Sequence, residues 1–178
     1  MGTDTPISVD PQAFADPQAF ADPQSWGEAL AEAYRVIAQG MGQLPIFNHA
    51  LEVEAVEFGL FNGSVMGIMI TPWFLNVVVA NDEVALKPSG SLIRVAFPVG
   101  EIDLIVAEVA SMGRIATCSL FSPMSDFADM DCARAAAKAA SVALMTKAAD
   151  AAPGGVVEAQ RPINRRHFLR GELTRPMG

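Results

Sequence analysis

Apolar residues recur at three- and four-residue steps from Trp26 through Leu30, Ala33, Tyr34 and Ile37, which predicts a helix with one sticky face. Asp22-Pro23 opens it, with Asp as the cap and Pro at the first helical position, and the glycines at 40 and 42 close it. The period then changes. Residues 51–61 begin in alternation, with Leu51, Val53 and Ala55 on one face and Glu52 and Glu54 on the other. Asn62-Gly63 is a two-residue hairpin signal, because a type I′ turn needs positive φ at both positions. The returning run, residues 64–80, is the most apolar stretch of the chain. It is shorter than the ~20 residues a spanning helix needs and is interrupted by Pro72 and Asn76, so it reads as a buried strand entering an irregular segment. Further strands are expected at 91–98, 101–111 and 115–121, with connections short enough to make neighbours antiparallel. An Ala-rich helix follows over 132–149, capped by residues 125–131 and ended by Pro153-Gly154-Gly155. The expected fold class is α+β: an antiparallel meander of about five strands, with an N-terminal and a C-terminal helix covering one face.

Three segments follow from this reading: a repeat-bearing tail at 1–21, one domain at 22–152 and a basic tail at 153–178. The first holds DPQAFA at 10–15 and again at 16–21, followed by DPQSWG at 22–27. Only the third copy leads into a long helical pattern, so the earlier two read as duplicated cap sequence. With no positive n-region and no apolar h-region the N-terminus is not a secretion signal, and a cytoplasmic location is expected.

Charge changes the picture more by its position than by its total of −8. Residues 1–60 hold nine acids against Arg35 alone. Residues 161–178 hold Arg161, Arg165, Arg166, Arg170 and Arg175 against Glu172. An acidic chain with no clustered bases in its body is a poor binder of phosphate backbones. Two histidines, His49 and His167, and two cysteines, Cys118 and Cys132, leave little for catalysis; no CxxC pair serves zinc or a rubredoxin-type iron. The glycines form no phosphate-cradling fingerprint. Asp126, Asp129 and Asp131 read as helix-cap and dipole chemistry rather than a calcium loop. No cofactor and no metal are expected, and a binder is favoured over an enzyme.

Two segments resist a purely structural reading. Thr71, Pro72, Trp73 and Phe74 set a large aromatic beside a residue that cannot join a ladder, and Trp73 is expected at the rim of a partner-binding groove. Residues 118–124 (CSLFSPM) place Phe121 and Met124 around a chain exit. Nine methionines suit adaptable apolar surfaces as well as cores.

These segments, with LPIFNHALEVEAVEFGLFNGSVMGIMITPWFLNVVV, FPVGEID and the terminal RRHFLRG, resemble the HybE/HupJ family of nickel–iron hydrogenase assembly chaperones. The similarity runs from about Leu44 to Met145 and resumes at the tail. It implies a non-enzymatic escort of hydrogenase subunits that binds the twin-arginine signal peptide of the small-subunit precursor, with the large subunit as a second client. RRxFLRG is similar to the HupJ branch, from clusters encoding hydrogenases matured in the presence of oxygen. Some relatives of that branch work with a rubredoxin, which here would be a separate protein. A second copy of the chain is a further partner to be tested.

The resemblance gives the tail a meaning. Asn164-Arg165-Arg166-His167-Phe168-Leu169-Arg170 copies a twin-arginine export signal, but no apolar h-region follows it. A mimic of the client is the reading it supports, with Arg165 and Arg166 near Glu52 and Glu54 and with Phe168 and Leu169 in an apolar groove. Two readings from other classes stand beside the chaperone: a redox protein cycling Cys118 and Cys132, and a small-ligand binding domain around Trp73.

Overall fold

The computed structural model describes residues 22–147; the tandem repeat at 10–21 and the RRxFLR tail lie outside the described residues. Among the described residues three helices, α1 (Pro23–Met41), α2 (Asp82–Leu86) and α3 (Met130–Met145), accompany six strands. These are β1 (Glu54–Phe61), β2 (Ser64–Ile70), β3 (Leu75–Ala80), β4 (Leu92–Phe97), β5 (Gly100–Val109) and β6 (Gly113–Phe121).

Every pairing is antiparallel, in the order β1-β2-β3-β6-β5-β4. The α+β class stands, with three corrections. The apolar run 64–80 is two strands, not one, because Thr71 turns the chain: its hydroxyl donates to the Phe74 carbonyl at 3.0 Å and accepts from the Phe74 amide at 3.0 Å. The sheet is also not one meander. After β3 the chain passes through α2, restarts at the far edge with β4, and returns so that β6 pairs with β3.

The helices lie on opposite faces rather than one. Strand residues alternate between two clusters: Met66, Ile68, Ile70, Leu75, Val77 and Val79 pack with Ala133, Ala137 and Leu144 of α3. Val65, Met69, Val78 and Ala80 pack with Trp26, Leu30, Ala31 and Tyr34 of α1. Period two puts those sets on opposite sides of the sheet. A bulge in β1 serves both: Glu57 adopts φ 55° and the register shifts between Val56 and Gly59. Val56 therefore joins the α3 side and Phe58 the α1 side. The Phe58 ring fills a slot between Gly27 of α1 and Gly67 of β2, where a Cβ on either would lie 2.6 and 2.4 Å from ring carbons.

Local chemistry follows the sequence at the joints. Asp22 caps α1 by accepting from the Gln24 amide, and Gly42 ends it. Asn62 and Gly63 take φ 49° and 77°, as the hairpin signal requires. Asp129 caps α3 by accepting from the Cys132 amide at 2.8 Å. The edge strands β1 and β4 approach each other on the α3 side, where Phe61 stacks on Phe97 at 5.4 Å and 9°. The sheet is thus curled around the α3 core, and α3 runs beneath it from Glu54 of β1 to the β4–β5 connection, where the Val99 amide donates to the Leu144 carbonyl at 3.2 Å.

Candidate functional site

Asn48, which sequence reasoning passed over, ties three loops into one surface. Its backbone amide donates to the Pro72 carbonyl at 2.8 Å. Its side-chain amide donates to the carbonyls of Met124 and Phe127 at 3.0 and 2.8 Å, and its Oδ1 accepts from the Ala50 amide. Ser122 closes the ring by donating its hydroxyl to the Trp73 carbonyl at 3.2 Å. The 71–74 turn and the 121–127 segment, singled out separately in the sequence, are therefore neighbours. An Asn six residues ahead of β1 carries no sequence signal for that role; only the fold shows it.

The placement of individual residues differs from the rim expectation. Trp73 is 7% exposed, with Phe47 stacked on it at 6.0 Å and Tyr34 and Phe74 set edge-on. Thr71, Pro72 and Met124 are buried as well. Pro72 does interrupt the ladder, but the turn joins two interior strands and residues 42–50 fold over it, so the indole goes inward. What the surface offers instead is Leu44, Ile46 and Phe121, all exposed, with Phe74 half-buried. Phe47 and His49 pack ring to ring at 4.9 Å, and Phe121 meets Phe127 edge-on at 5.3 Å. Leu44 and Ile46 flank Pro45 in the sequence, a visible signal for an exposed apolar loop.

Acidic groups border this surface unequally. The Glu54 carboxylate is taken by Arg134, whose Nε and Nη2 donate to Oε1 and Oε2 at 2.9 and 2.8 Å; Asp131 binds the same guanidinium. The bidentate pair holds the Arg134 pKa above its usual value, first through the Glu54 hydrogen bonds. Glu54 is thus not an open acceptor for a further arginine, which corrects its pairing with Glu52 as a docking couple. Glu52 precedes β1, is exposed and sits at the start of α3, its amide donating to Met130 Sδ at 3.2 Å. Asp126 is exposed on the same loop cluster.

The Asp129 carboxylate hydrogen-bonded at Cys132 raises that thiol's pKa above the ordinary cysteine value. Among the described residues no three His, Cys, Asp or Glu side chains are grouped to hold a metal ion. A cavity of about 260 Å³ lies at the other end of β2, lined by Phe61, Asn81, Val84, Ile93 and Val95, remote from Trp73. Its polar groups are engaged: Asn81 bonds Ser64 and the Val84 amide, and Lys87 bonds Glu83. No helix among the described residues is long and apolar enough to cross a membrane.

The fold is thus an α+β domain whose loops Asn48 staples into a surface that exposes Leu44, Ile46 and Phe121. The profile described as "NiFe-hydrogenase assembly, chaperone, HybE" matches residues 25–171, and the chain belongs to that family. It is similar to the hydrogenase expression/formation protein HupJ of Bradyrhizobium diazoefficiens, 52% identical over 155 residues that span 86% of this chain and 92% of that one. It is also similar to HupT of Azotobacter chroococcum, 36% identical over 113 residues, 62% of this chain and 76% of that protein. The solution structure of HybE from Escherichia coli shares the fold, with a TM-score of 0.55 at 21% identity over 79% of this chain and 91% of that chain.

Proposed function

We propose that this hydrogenase-assembly chaperone captures the small-subunit precursor by its twin-arginine signal peptide, at the loop surface organised by Asn48. The single observation that carries the reading is Asn48's tie between the loop that exposes Leu44 and Ile46 and the loop that exposes Phe121 and Asp126, with the exposed Glu52 four residues further along the chain. A twin-arginine signal combines two guanidinium groups with a following apolar run. Carboxylates accept the first bidentately, and exposed aliphatic and aromatic side chains bury the second. Thr71, Pro72, Trp73 and Met124 then act as the buried footing of the surface, with Phe74 and Phe121 nearer the client. No catalytic residue enters the reading, since escorting a precursor needs binding and release.

Calorimetric titration of the full chain with the signal peptide of its hydrogenase small subunit tests it. Glu52→Lys combined with Ile46→Asp is expected to weaken binding about tenfold or more, as loss of a charge-assisted contact and an apolar anchor together predicts. Both positions are exposed, so the melting temperature should hold. Unchanged affinity in the double variant overturns the site; no affinity in the unaltered chain overturns the client.

A further inference from the structure

The two edges of the sheet are guarded unequally. A bare edge strand is a template for another chain, and proteins blunt it with bulges, charges or proline. β1 carries a bulge at Glu57 and the charges of Glu54 and Glu57. β4 lacks such protection: Leu92–Phe97 pairs with β5 in unbroken register and contains no proline or lysine. Its one charge, Arg94, is held by Asp103 at 2.7 Å. The Val106 amide donates to the carbonyl of Ser91, the residue opposite it, at 2.8 Å. Hydrogen-bonded pairs alternate along an antiparallel ladder, so Ile93, Val95 and Phe97 bond to β5 in turn. The amides and carbonyls of Leu92, Arg94 and Ala96 then point the other way, and no hydrogen bond among the described residues reaches them.

Those groups border the cavity of about 260 Å³. Ile93, Arg94, Val95 and Ala96 all line it, and four successive strand residues do so only along the strand's edge, because their side chains alternate between faces. Asn62 and Ser64 of the β1–β2 hairpin form another wall, and Phe61, Val79 and Val84 add apolar lining. Side-chain polar groups here are already satisfied: Asn81 by Ser64 and the Val84 amide, Lys87 by Glu83, and Arg94 by Asp103. What stays unpaired is main chain, so the complement is uncharged, extended main chain. A helix bonds its backbone internally and offers none. A second copy fits less well. The register that uses all three residues of each β4 edge sets Arg94 directly opposite Arg94, a like-charge pair.

We propose that the β4 edge binds an extended, uncharged segment of a client protein as a further antiparallel strand, with apolar side chains at alternate positions and one of them in the cavity. Main-chain hydrogen bonds to Leu92, Arg94 and Ala96 supply affinity, and the cavity selects the side chain. Antiparallel pairing continues the pattern of every other strand in the sheet. The cavity is remote from Trp73 and the loop surface assigned to the signal peptide, and the segment needs no arginine. The two readings therefore stand or fall independently.

The probe is the peptide acetyl-Ser-Thr-Val-Thr-Leu-Thr-Ser-amide, titrated into the full chain and followed by amide NMR and hydrogen exchange. In the free protein the amides of Leu92, Arg94 and Ala96 should exchange fast and those of Ile93 and Val95 slowly; saturating peptide should slow the first three several-fold. Peptide residues paired with Leu92, Arg94 and Ala96 share their face, so the threonines aim their amides at β4 and the leucine aims its amide away. N-methylation of the central threonine should weaken binding about tenfold, and of the leucine less than about twofold. Ala96→Pro removes one edge donor where an edge strand tolerates proline, so binding should fall several-fold at an unchanged melting temperature. The methylated pair leaves the protein unaltered and decides even where that variant does not fold. Equal losses from the two methylations overturn the proposal, as does a peptide that does not bind. So do shifts confined to Leu44, Ile46 and Phe121, which would put the peptide on the loop surface. Slow exchange at all three edge amides in the free protein also overturns it, and its loss on dilution would make the occupant a second copy.

Discussion

The two halves of the sheet differ in how they meet water. All six residues of β3, and every residue of β2 after Ser64, are buried, because α1 covers one face of this half and α3 the other. In β4 and β5 exposed and covered positions alternate, because only one face is packed. The sequence differs in the same way: SVMGIMI and LNVVVA are continuous apolar runs, whereas LIRVAF and EIDLIVAEV intersperse charge. Continuous runs need cover on both sides, and alternation needs it on one. The comparison teaches that a strand's polarity pattern reports how many neighbours it has, even where the neighbours are far away in the chain.

The largest test of that contrast sets Trp73 against Ile105. Trp73 lies in the doubly covered half, ringed by Phe47, Tyr34 and Phe74. Trp73→Ala should cost about 3–5 kcal/mol of unfolding free energy, the usual range for truncating a buried aromatic. Ile105→Ala on the open face should cost under about 1 kcal/mol, because the side chain is already part-hydrated. Chemical denaturation of both variants checks the pair. A Trp73→Ala protein of unchanged stability would return the indole to the rim.

How much of this was legible in the sequence depends on the range of the forces involved. Caps, the Asn62-Gly63 turn and the α1 stripe are local, and the structure has them where residue chemistry put them. The strand count fell short because Thr71 makes its turn with a side-chain hydroxyl, a signal that Pro72-Trp73 masked as mere irregularity. The return of β6 to β3, and the helices' opposite faces, rest on pairings some forty residues apart that no local pattern encodes. The candidate site was half legible: its two aromatic segments stood out, but which side chains point inward depended on the fold. Glu54 looked free until Arg134, eighty residues on, came to meet it. Asn48 was silent.

A second test sharpens the comparison from the glycine side. A Cβ at Gly67 would lie 2.4 Å from the Phe58 ring, so the whole ring must shift beneath α1. Gly67→Ala should therefore lose about 2 kcal/mol, within the range for overpacking a filled core. Gly59, one strand away, has nothing within 4 Å of its Cβ position and serves as the control. Gly59→Ala should stay near the unaltered melting temperature. Adding Phe58→Leu to Gly67→Ala should cost less than the two single losses summed, because both act in one slot. Strict additivity in that cycle would mean that the ring, and with it the seat of α1, is not held as described.

The last effect is read by pH. Tyr34 is the one tyrosine of the chain, and it sits in the covered half between Trp73 and Phe74. Burial pushes its phenol up to about 12 from an ordinary 10.0, because the phenolate would lose its water. The folded state therefore holds this proton more tightly than the unfolded chain does. Stability from that difference is fully present below pH 10 and is lost as the pH rises through 12, by at most about 1.4 kcal/mol per pH unit in that window. With a single tyrosine, phenolate absorbance follows one group without overlap. Titration at low denaturant should show ionisation delayed past pH 11, and Tyr34→Phe should flatten the stability slope between pH 10 and 12. Ionisation at an ordinary 10 in the folded protein would mean that water reaches the ring. The α1 side of β2 and β3 would then be no better covered than the open face of β4 and β5.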